Sequence, residues 1–564
     1  MLSIVASWAL ALVAVNAIPS PVDLRASRVE RDLVRRDSRP TSYPANNFTQ
    51  LIDHFPQSSR YEPHTNGTFT QRYFFDSTYY KDGGPVFLYI GGETSGESRF
   101  SNLETGIIQI LMQEFNGLGV ILENRYYGES YPFETTTTDE LAYLTNEQTI
   151  ADNAYFAQRA TFPNVTGNLT APNTPWILYG GSLAGAETAF SIVEYGGSGE
   201  KILYGGIASS AVVHAVHAYP QWYDPIQKLG PQDCIGRIND IVDSYDALVE
   251  ANNTAAIQQL KELFGLQDLE SDLDFAYTIA LPIGGPDNYP LGTWQELNWN
   301  KSVSDPQWWY FCGNVTDDNA PANVTAGDSL LANYTDGKTL PGLGAYAAYF
   351  QQVYLPLCES GRYGSTDPGC FGTQNESYWN DTTPSTSRSY TYSTCTELGA
   401  YQQGQPEGKP SLLSRSITTS FTQQWVCTPT YSDRAGNQSP GPASSVQLDT
   451  DRWTNLTHYN KYGDLNITGE RLAFIDGSSD VWLDVCYHST LTNTSANRVA
   501  NPNSNATAAS EVEAYLINGG GHHWDSYGIL DVDAEPDFIM QAHLWEIKVV
   551  KKWLDAFTSD WYKQ

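Results

Sequence analysis

Between Gln71 and Ala211 the chain alternates short, continuous apolar runs with amphipathic ones. QRYFFDSTYY and GGPVFLYIGG are aromatic and β-branched stretches bounded by glycine and aspartate, a pattern that predicts two strands. IIQILMQEF sets its apolar residues at helical spacing, GVILENRYYGES predicts a strand leaving into a polar loop, and NEQTIADNAYFAQRA predicts a helix. WILYGGS reads as a strand entering a turn, LAGAETAFSIVEY as an alanine-rich helix, and ILYGGIASSA as a further strand. Strands alternating with helices imply a mostly parallel, doubly wound α/β sheet.

From about His214 the pattern changes. QWYDPIQKLGPQDCIGRINDIVDSYDALVEANNTAAIQQLKELFG is helical and amphipathic, and it runs on through Trp-rich and Tyr-rich loops to about Pro442. Strand-then-loop units return with RLAFIDGSSDVW and VEAYLINGGGHHWDS, and DFIMQAHLWEIKVVKKWLDAF predicts a long terminal helix. The expected organisation is one α/β core in two parts, residues 41–213 and 443–564, interrupted by a helical cap insertion over 214–442. No repeat of fixed period is present.

The 564 residues contain 41% hydrophobic and 13% aromatic side chains, ample for a packed interior. The opening MLSIVASWALALVAVNA is an apolar run ending in small residues at Val15 and Ala17. It reads as a signal peptide over 1–17, too short for a convincing membrane span. A polar, Arg-rich stretch with the pair Arg35-Arg36 follows and reads as a propeptide over 18–36, or as a flexible tail. Sixteen Asn-x-Ser/Thr sequons lie behind this leader: Asn47, Asn66, Asn164, Asn168, Asn252, Asn300, Asn314, Asn323, Asn333, Asn375, Asn380, Asn437, Asn455, Asn466, Asn493 and Asn505. Their density predicts a secreted, extracellular glycoprotein, with a vacuolar or lysosomal location as the alternative.

Seven cysteines are widely spaced, six of them inside 214–442, with Cys486 beyond it. In an oxidising compartment they favour about three disulfides and one free or buried thiol, stapling the irregular insertion, over a metal site. Asp and Glu outnumber Lys and Arg by 64 to 31, which argues against nucleic acid as a partner. No cofactor is implied, and no membrane partner; a monomer or homodimer is expected.

Candidate chemistry sits at three predicted strand ends. A serine hydroxyl needs a base to take its proton and a third group to hold the base, and a nucleophile on a strand-to-helix elbow needs small neighbours. Gly180-Gly181-Ser182-Leu183-Ala184-Gly185 has that context, although any tight strand-to-helix turn also selects glycines. Asp480 follows one later strand, and His522 and His523 follow another. The order Ser182, Asp480, His522 is that of an α/β-hydrolase, so the expected fold is an α/β-hydrolase core with a large helix-rich, disulfide-stapled cap insertion. The paired histidines lack a carboxylate or Cys at metal spacing, so no metal site is expected.

Several long segments resemble the S28 family of serine peptidases, which holds lysosomal Pro-Xaa carboxypeptidase, dipeptidyl peptidase II and fungal acid prolyl endopeptidases. NGTFTQRYFFDSTYYKDGGPVFLYIGGE is similar to the family's opening segment. ENRYYGESYPF resembles its Glu-His-Arg-Tyr-Tyr-Gly-Glu-Ser signature, with Asn124 where the family has His. LAYLTNEQTIADNAYF, YSTCTELGAYQQ and DGSSDVW resemble three further segments. The resemblance implies Ser182 as nucleophile, His522 as base and Asp480 as orienting carboxylate, acting on a peptide or protein substrate. It puts Trp482 where the family walls a proline pocket with an aromatic, core packing being the competing reading of that residue. Leu183 and Ala184 replace Tyr and Gly, which leaves the oxyanion donor at Leu183 N–H in place and the proline preference open. A second oxyanion donor is expected from Gly91 or Gly92, and under the dipeptidyl peptidase alternative Glu397 is a candidate to receive a substrate's free amino terminus. The expected activity is a carboxypeptidase acting after proline or similar residues at acidic pH. Dipeptidyl peptidase and prolyl endopeptidase are the alternatives within the family; an esterase or lipase and a non-catalytic secreted binding protein are those outside it.

Overall fold

The computed structural model of the chain describes residues 43–197, 199–284, 294, 307–357, 371–373, 381–427, 454–491, 512–529, 535–558 and 560–563. The expected signal peptide and propeptide lie outside them. The described strands are β1 (Asn46–Leu51), β2 (Thr68–Asp76), β3 (Val86–Ile90), β4 (Leu118–Leu122), β5 (Trp176–Gly181), β6 (Gly205–Ser209), β7 (Val216–Ala218), β8 (Gly399–Tyr401), β9 (Leu472–Gly477) and β10 (Glu513–Ile517). All but β7 and β8 form one sheet in the order β1-β2-β4-β3-β5-β6-β9-β10. The pairs β1–β2 and β2–β4 are antiparallel and the remaining neighbours are parallel.

This is the mostly parallel α/β sheet the sequence predicts. Strands β3, β4, β5, β6 and β9 are buried along their whole length, which is why VFLYI and LGVIL read as continuous apolar runs rather than alternating ones. The apolar pattern does not predict β1, because NNFTQL is an edge strand whose residues are mostly exposed or half-buried.

Helices α1 (Ile107–Phe115), α2 (Asn146–Arg159) and α3 (Leu183–Tyr195) alternate with the strands. Ile107, Leu111 and Met112 of α1 share one buried cluster with Ile121, Ile177 and Ile475 of the sheet and with Val549 and Trp553 of the terminal helix. Asn153 Nδ2 of α2 donates to Ser191 Oγ of α3 at 3.2 Å. The strand register sets Gly181 opposite Ser209, Ser209 opposite Ile475 and Gly477 opposite Ile517. The segments that follow β5, β9 and β10 therefore leave from the same edge of the sheet.

The described chain divides into two compact units. One holds 227–374 and 404–417; the other holds 42–226, 375–403 and 418–564, and with them the sheet. The first unit is helical, with α4 (Gln232–Glu250), α5 (Thr254–Phe264), α6 (Gln307–Val315) and α7 (Leu343–Val353). Helix α4 buries Ile235, Ile238, Ile241, Val242 and Tyr245, the spacing of one apolar stripe. Helix α5 begins at Asn253, whose side chain accepts the Ala256 N–H, and ends at Gly265 in the left-handed region, φ 73°. A disulfide between Cys234 and Cys312 ties α4 to α6, with the Cα atoms 5.5 Å apart. The last helix, α8 (Asp537–Asp555), closes the sheet unit.

Residues 214–442 thus divide between the two units. Residues 375–403 go with the sheet, and their strand β8 pairs in parallel with β7. The second disulfide, Cys395–Cys427, joins two cysteines inside 214–442 as expected and belongs to the sheet unit. Cys486 is a buried free thiol, pushed well above its usual pKa by burial and then by Asp476, Asp480 and Asp484; Cys358 and Cys370 lie outside the described residues. No described helix is long and apolar enough to cross a membrane.

Candidate active site

Ser182 stands between β5 and α3 with φ 62° and ψ −126°. A side chain in that region costs about 1–3 kcal/mol and persists only where its surroundings hold it. Here Ser182 N–H donates to Ser209 O at 2.9 Å, and its carbonyl accepts from Ala186 N–H at 3.1 Å. The flanking glycines are required by contact. A methyl at Gly180 would lie 2.1 Å from Ala184 O, and one at Gly185 would lie 2.6 Å from Ser209 O. Leu183 opens α3, so its N–H has no partner within the helix.

Asp480 and His522 meet as expected. Asp480 is fully buried, accepts the Trp482 N–H at 2.9 Å, and faces His522 Nδ1 at 3.0 and 2.9 Å from its two oxygens. A carboxylate on Nδ1 fixes the tautomer that leaves Nε2 as the basic nitrogen. Their loops are strapped together: Ser479 N–H donates to Gly520 O at 2.8 Å and Gly519 N–H to Ser478 Oγ at 2.8 Å. The same segment lies against the elbow. A methyl at Gly181 would meet the His523 ring at 3.0 Å, and His523 N–H donates to Ser210 Oγ at 2.8 Å. Burial, then the neighbouring His522 and Arg99, hold His523 well below the usual histidine pKa.

The loop after β3 departs from expectation. Gly91 N–H donates to Leu122 O at 2.8 Å and Gly92 N–H to Asn124 Oδ1 at 3.1 Å. Neither of these expected oxyanion donors is free, because the first extends the β3–β4 ladder and the second meets a side chain. Glu93 N–H, next in the chain, has no backbone partner among the described residues. The loop is nonetheless close to the elbow, since a methyl at Gly92 would lie 3.3 Å from Ala184 Cβ. Asn124 Nδ2 in turn donates to both oxygens of Glu187 on α3, at 3.0 and 2.8 Å. One asparagine side chain thereby ties the loop after β3 to the nucleophile helix. Burial pushes the Glu187 carboxyl up to about 8, against the Asn124 hydrogen bond and with the help of Glu93, Asp152 and Glu397.

Two other expected contacts resolve differently. Glu397 is 2% exposed, paired with Arg60, and accepts both the backbone N–H and the Nδ2 of Asn146 at 2.9 Å. With both oxygens engaged it is not available to a substrate amino group, a correction that a sequence alone does not foresee. Trp482 is 6% exposed, stacked on Tyr219 at 5.6 Å and 5° and edge-to-face with Trp222 at 4.7 Å and 87°. Most of its ring packs the interior.

The ENRYYGES signature proves to be scaffolding. Glu123 accepts from Arg72 Nε and Nη2 at 2.9 and 2.8 Å, from Ser130 Oγ at 2.7 Å and from Gly96 N–H at 2.9 Å. Arg125, fully buried, grips Asp152 at 2.7 and 2.6 Å. Gly128 has φ 60°, and a methyl there would fall 1.8 Å from Glu123 Oε2. Among the described sequons, Asn47, Asn66, Asn164, Asn168, Asn252, Asn323, Asn333, Asn455 and Asn466 are exposed and Asn314 is half-buried. Asn300, Asn375, Asn380, Asn437, Asn493 and Asn505 lie outside the described residues.

Known proteins are similar to this chain in sequence. The family model described as serine carboxypeptidase S28 matches residues 50–536. A "Probable extracellular serine carboxypeptidase" of Arthroderma benhamiae is 35% identical over 531 residues, covering 91% of this chain and 68% of that protein. "Serine protease vicPb" of Bipolaris victoriae is 28% identical, covering 91% of this chain and 89% of its own length. The "Lysosomal Pro-X carboxypeptidase" of Pongo abelii is 33% identical over 189 residues, 31% of this chain and 34% of that one. A solved lipase in its open form aligns at 10% identity with a TM-score of 0.27, over 90% of this chain and 99% of that one, and the α/β-hydrolase fold is read from the sheet order and the elbow instead. With a family model spanning nearly all of the sheet and helical segments, the chain belongs to the serine carboxypeptidase S28 family.

Proposed function

We propose that Ser182, His522 and Asp480 form the catalytic triad of a serine carboxypeptidase. His522 Nε2 removes the proton from Ser182 Oγ, which attacks the carbonyl carbon of the last peptide bond. The tetrahedral oxyanion is received by Leu183 N–H and, in place of Gly91 and Gly92, by Glu93 N–H. The imidazolium, stabilised by Asp480, gives its proton to the departing amine and leaves an acyl ester on Ser182. Water, deprotonated by His522, then attacks the ester and releases the shortened peptide. The observation that carries this reading is the strained Ser182 backbone at a strand end, together with a histidine whose Nδ1 is held by a buried carboxylate and whose neighbour His523 packs on Gly181.

Acidic working conditions are supported by buried carboxyls raised above their usual pKa: Glu187, Asp525 and Glu546, in each case first by burial. Trp482, two residues beyond Asp480, packs on Tyr219 and Trp222 and is 6% exposed, so a flat apolar ring such as proline would meet only its remaining edge. The exposed sequons and the extracellular relative support a secreted glycoprotein.

A fluorophosphonate should label the wild-type enzyme on Ser182 and leave Ser182→Ala unlabelled. Mass-spectrometric mapping of peptides with proline at varied positions should show removal of single C-terminal residues. No labelling of wild type between pH 4 and 8 would sink the triad, and cleavage confined to the interior of long peptides would sink the carboxypeptidase mode.

A further inference from the structure

Arg99 differs from the other guanidinium groups around the site. Arg72 meets Glu123 at 2.8 Å, Arg125 meets Asp152 at 2.6 Å, and Arg60 is paired with Glu397. Arg99 makes no ion pair among the described residues, and its one hydrogen bond runs from Nε–H to Gly91 O at 2.9 Å. That bond fixes where the charge lies. A methyl on Gly92 would sit 3.6 Å from Arg99 Nη2 and 3.3 Å from Ala184 Cβ, the second residue after the nucleophile. The groups facing the guanidinium are Tyr89, Glu93 and Tyr527, and its charge reaches His523, the neighbour of His522.

A guanidinium is charged at every accessible pH and presents a planar fork that matches a carboxylate. In a chain with 64 acidic residues against 31 basic ones, leaving such a fork unpaired and half-buried beside the elbow calls for a ligand. We propose that Arg99 binds the terminal α-carboxylate of the peptide substrate, on the side of the scissile bond from which the amine departs toward His522. The proposal rests on the serine carboxypeptidase reading above and supplies what that reading lacks, a cation that recognises the chain end. The same charge repels a free amino terminus. In a dipeptidyl peptidase Glu93, whose Oε2 is buried without a hydrogen-bond partner, would be the group to meet that terminus instead.

The test compares an N-blocked prolyl-phenylalanine with its C-terminal amide at pH 5, using the full chain. Wild type should favour the free acid by about 100-fold in kcat/KM, the scale of a buried charge pair. Arg99→Gln should erase that preference, chiefly through KM for the acid, while the amide changes by no more than about twofold; Arg99→Lys should retain part of it. Fluorophosphonate labelling of Ser182 at the wild-type rate in Arg99→Gln shows that the elbow is intact. Equal losses on acid and amide, or an unchanged ratio, would overturn the carboxylate site. If wild type is labelled yet cleaves acid and amide alike, the site is overturned and the serine hydrolase stands. If wild type is not labelled, the catalytic reading falls and takes this proposal with it.

Discussion

Two histidine–carboxylate pairs depend on the few residues that end β9, and they differ in what surrounds them. Asp476, within β9, accepts both the backbone N–H and Nδ1 of His488 at 3.1 and 2.6 Å, and both side chains are fully buried. Asp480, four positions later, holds Nδ1 of His522, whose side chain keeps 9% of its surface. The chemical unit is the same in each. Only the second stands next to a residue packed on the elbow, since the His523 ring lies 3.0 Å from a methyl placed on Gly181, and only its histidine keeps an exposed edge. A histidine on a carboxylate is thus a common structural device, as His543 on Glu535 at 2.6 Å repeats, and the proposed triad differs from it by placement.

The largest effect should come from converting each aspartate to asparagine. Asp480→Asn should lower kcat/KM by about 10⁴-fold, because the amide stabilises the wrong tautomer of His522, with little change in thermal unfolding. Asp476→Asn should do the reverse, lowering stability by about 3 kcal/mol through a broken buried pair while kcat/KM of the folded enzyme stays within about twofold. Steady-state kinetics beside thermal denaturation distinguishes the two, and matching kinetic losses would erase the contrast.

A smaller effect is expected at Asn124, which serves the site through other residues. Asn124→Ala removes the acceptor for Gly92 N–H and the donor to Glu187, freeing the loop after β3. A drop in kcat of about 10- to 100-fold with KM nearly constant is expected, since a misplaced donor acts on the transition state more than on ground-state binding. A change confined to KM would remove Asn124 from the positioning role.

The mildest change concerns Glu187 and pH. Its carboxyl ionises near 8 in the fold and near the ordinary 4.5 when unfolded. Across that window the unfolded chain loses a proton that the folded one keeps, so this group's contribution to stability falls as pH rises. His523, whose pKa burial lowers, acts in the opposite direction below the usual histidine pKa and is common to wild type and variant. In Glu187→Gln the melting temperature should change less between pH 5 and pH 8 than in wild type; an identical pH dependence would show that Glu187 does not set it.

Much of this architecture was legible in the residues. Continuous apolar runs gave the buried parallel strands, since burial on both faces leaves no polar positions to alternate. The elbow could be found because its requirement for small neighbours is local, and Asp480 and His522 because each follows a strand by a few residues. The exposed edge strand β1 carries no such pattern. Asn124 could have been noticed from its departure from the family signature, but nothing in the sequence pairs it with Glu187.

The sequence by itself determined the alternation of strands and helices, the strained serine and the order of the three catalytic candidates, all properties of short segments. Tertiary structure decided which polar groups are left over. Glu397 is taken by Arg60, 337 positions away, and Gly92 N–H by Asn124, 32 positions away, whereas Arg99 makes no ion pair among the described residues. A sequence displays its donors, acceptors and charges without stating who meets whom. That pairing is settled by packing between distant segments, and recognition of a substrate falls to the groups the packing leaves unmatched.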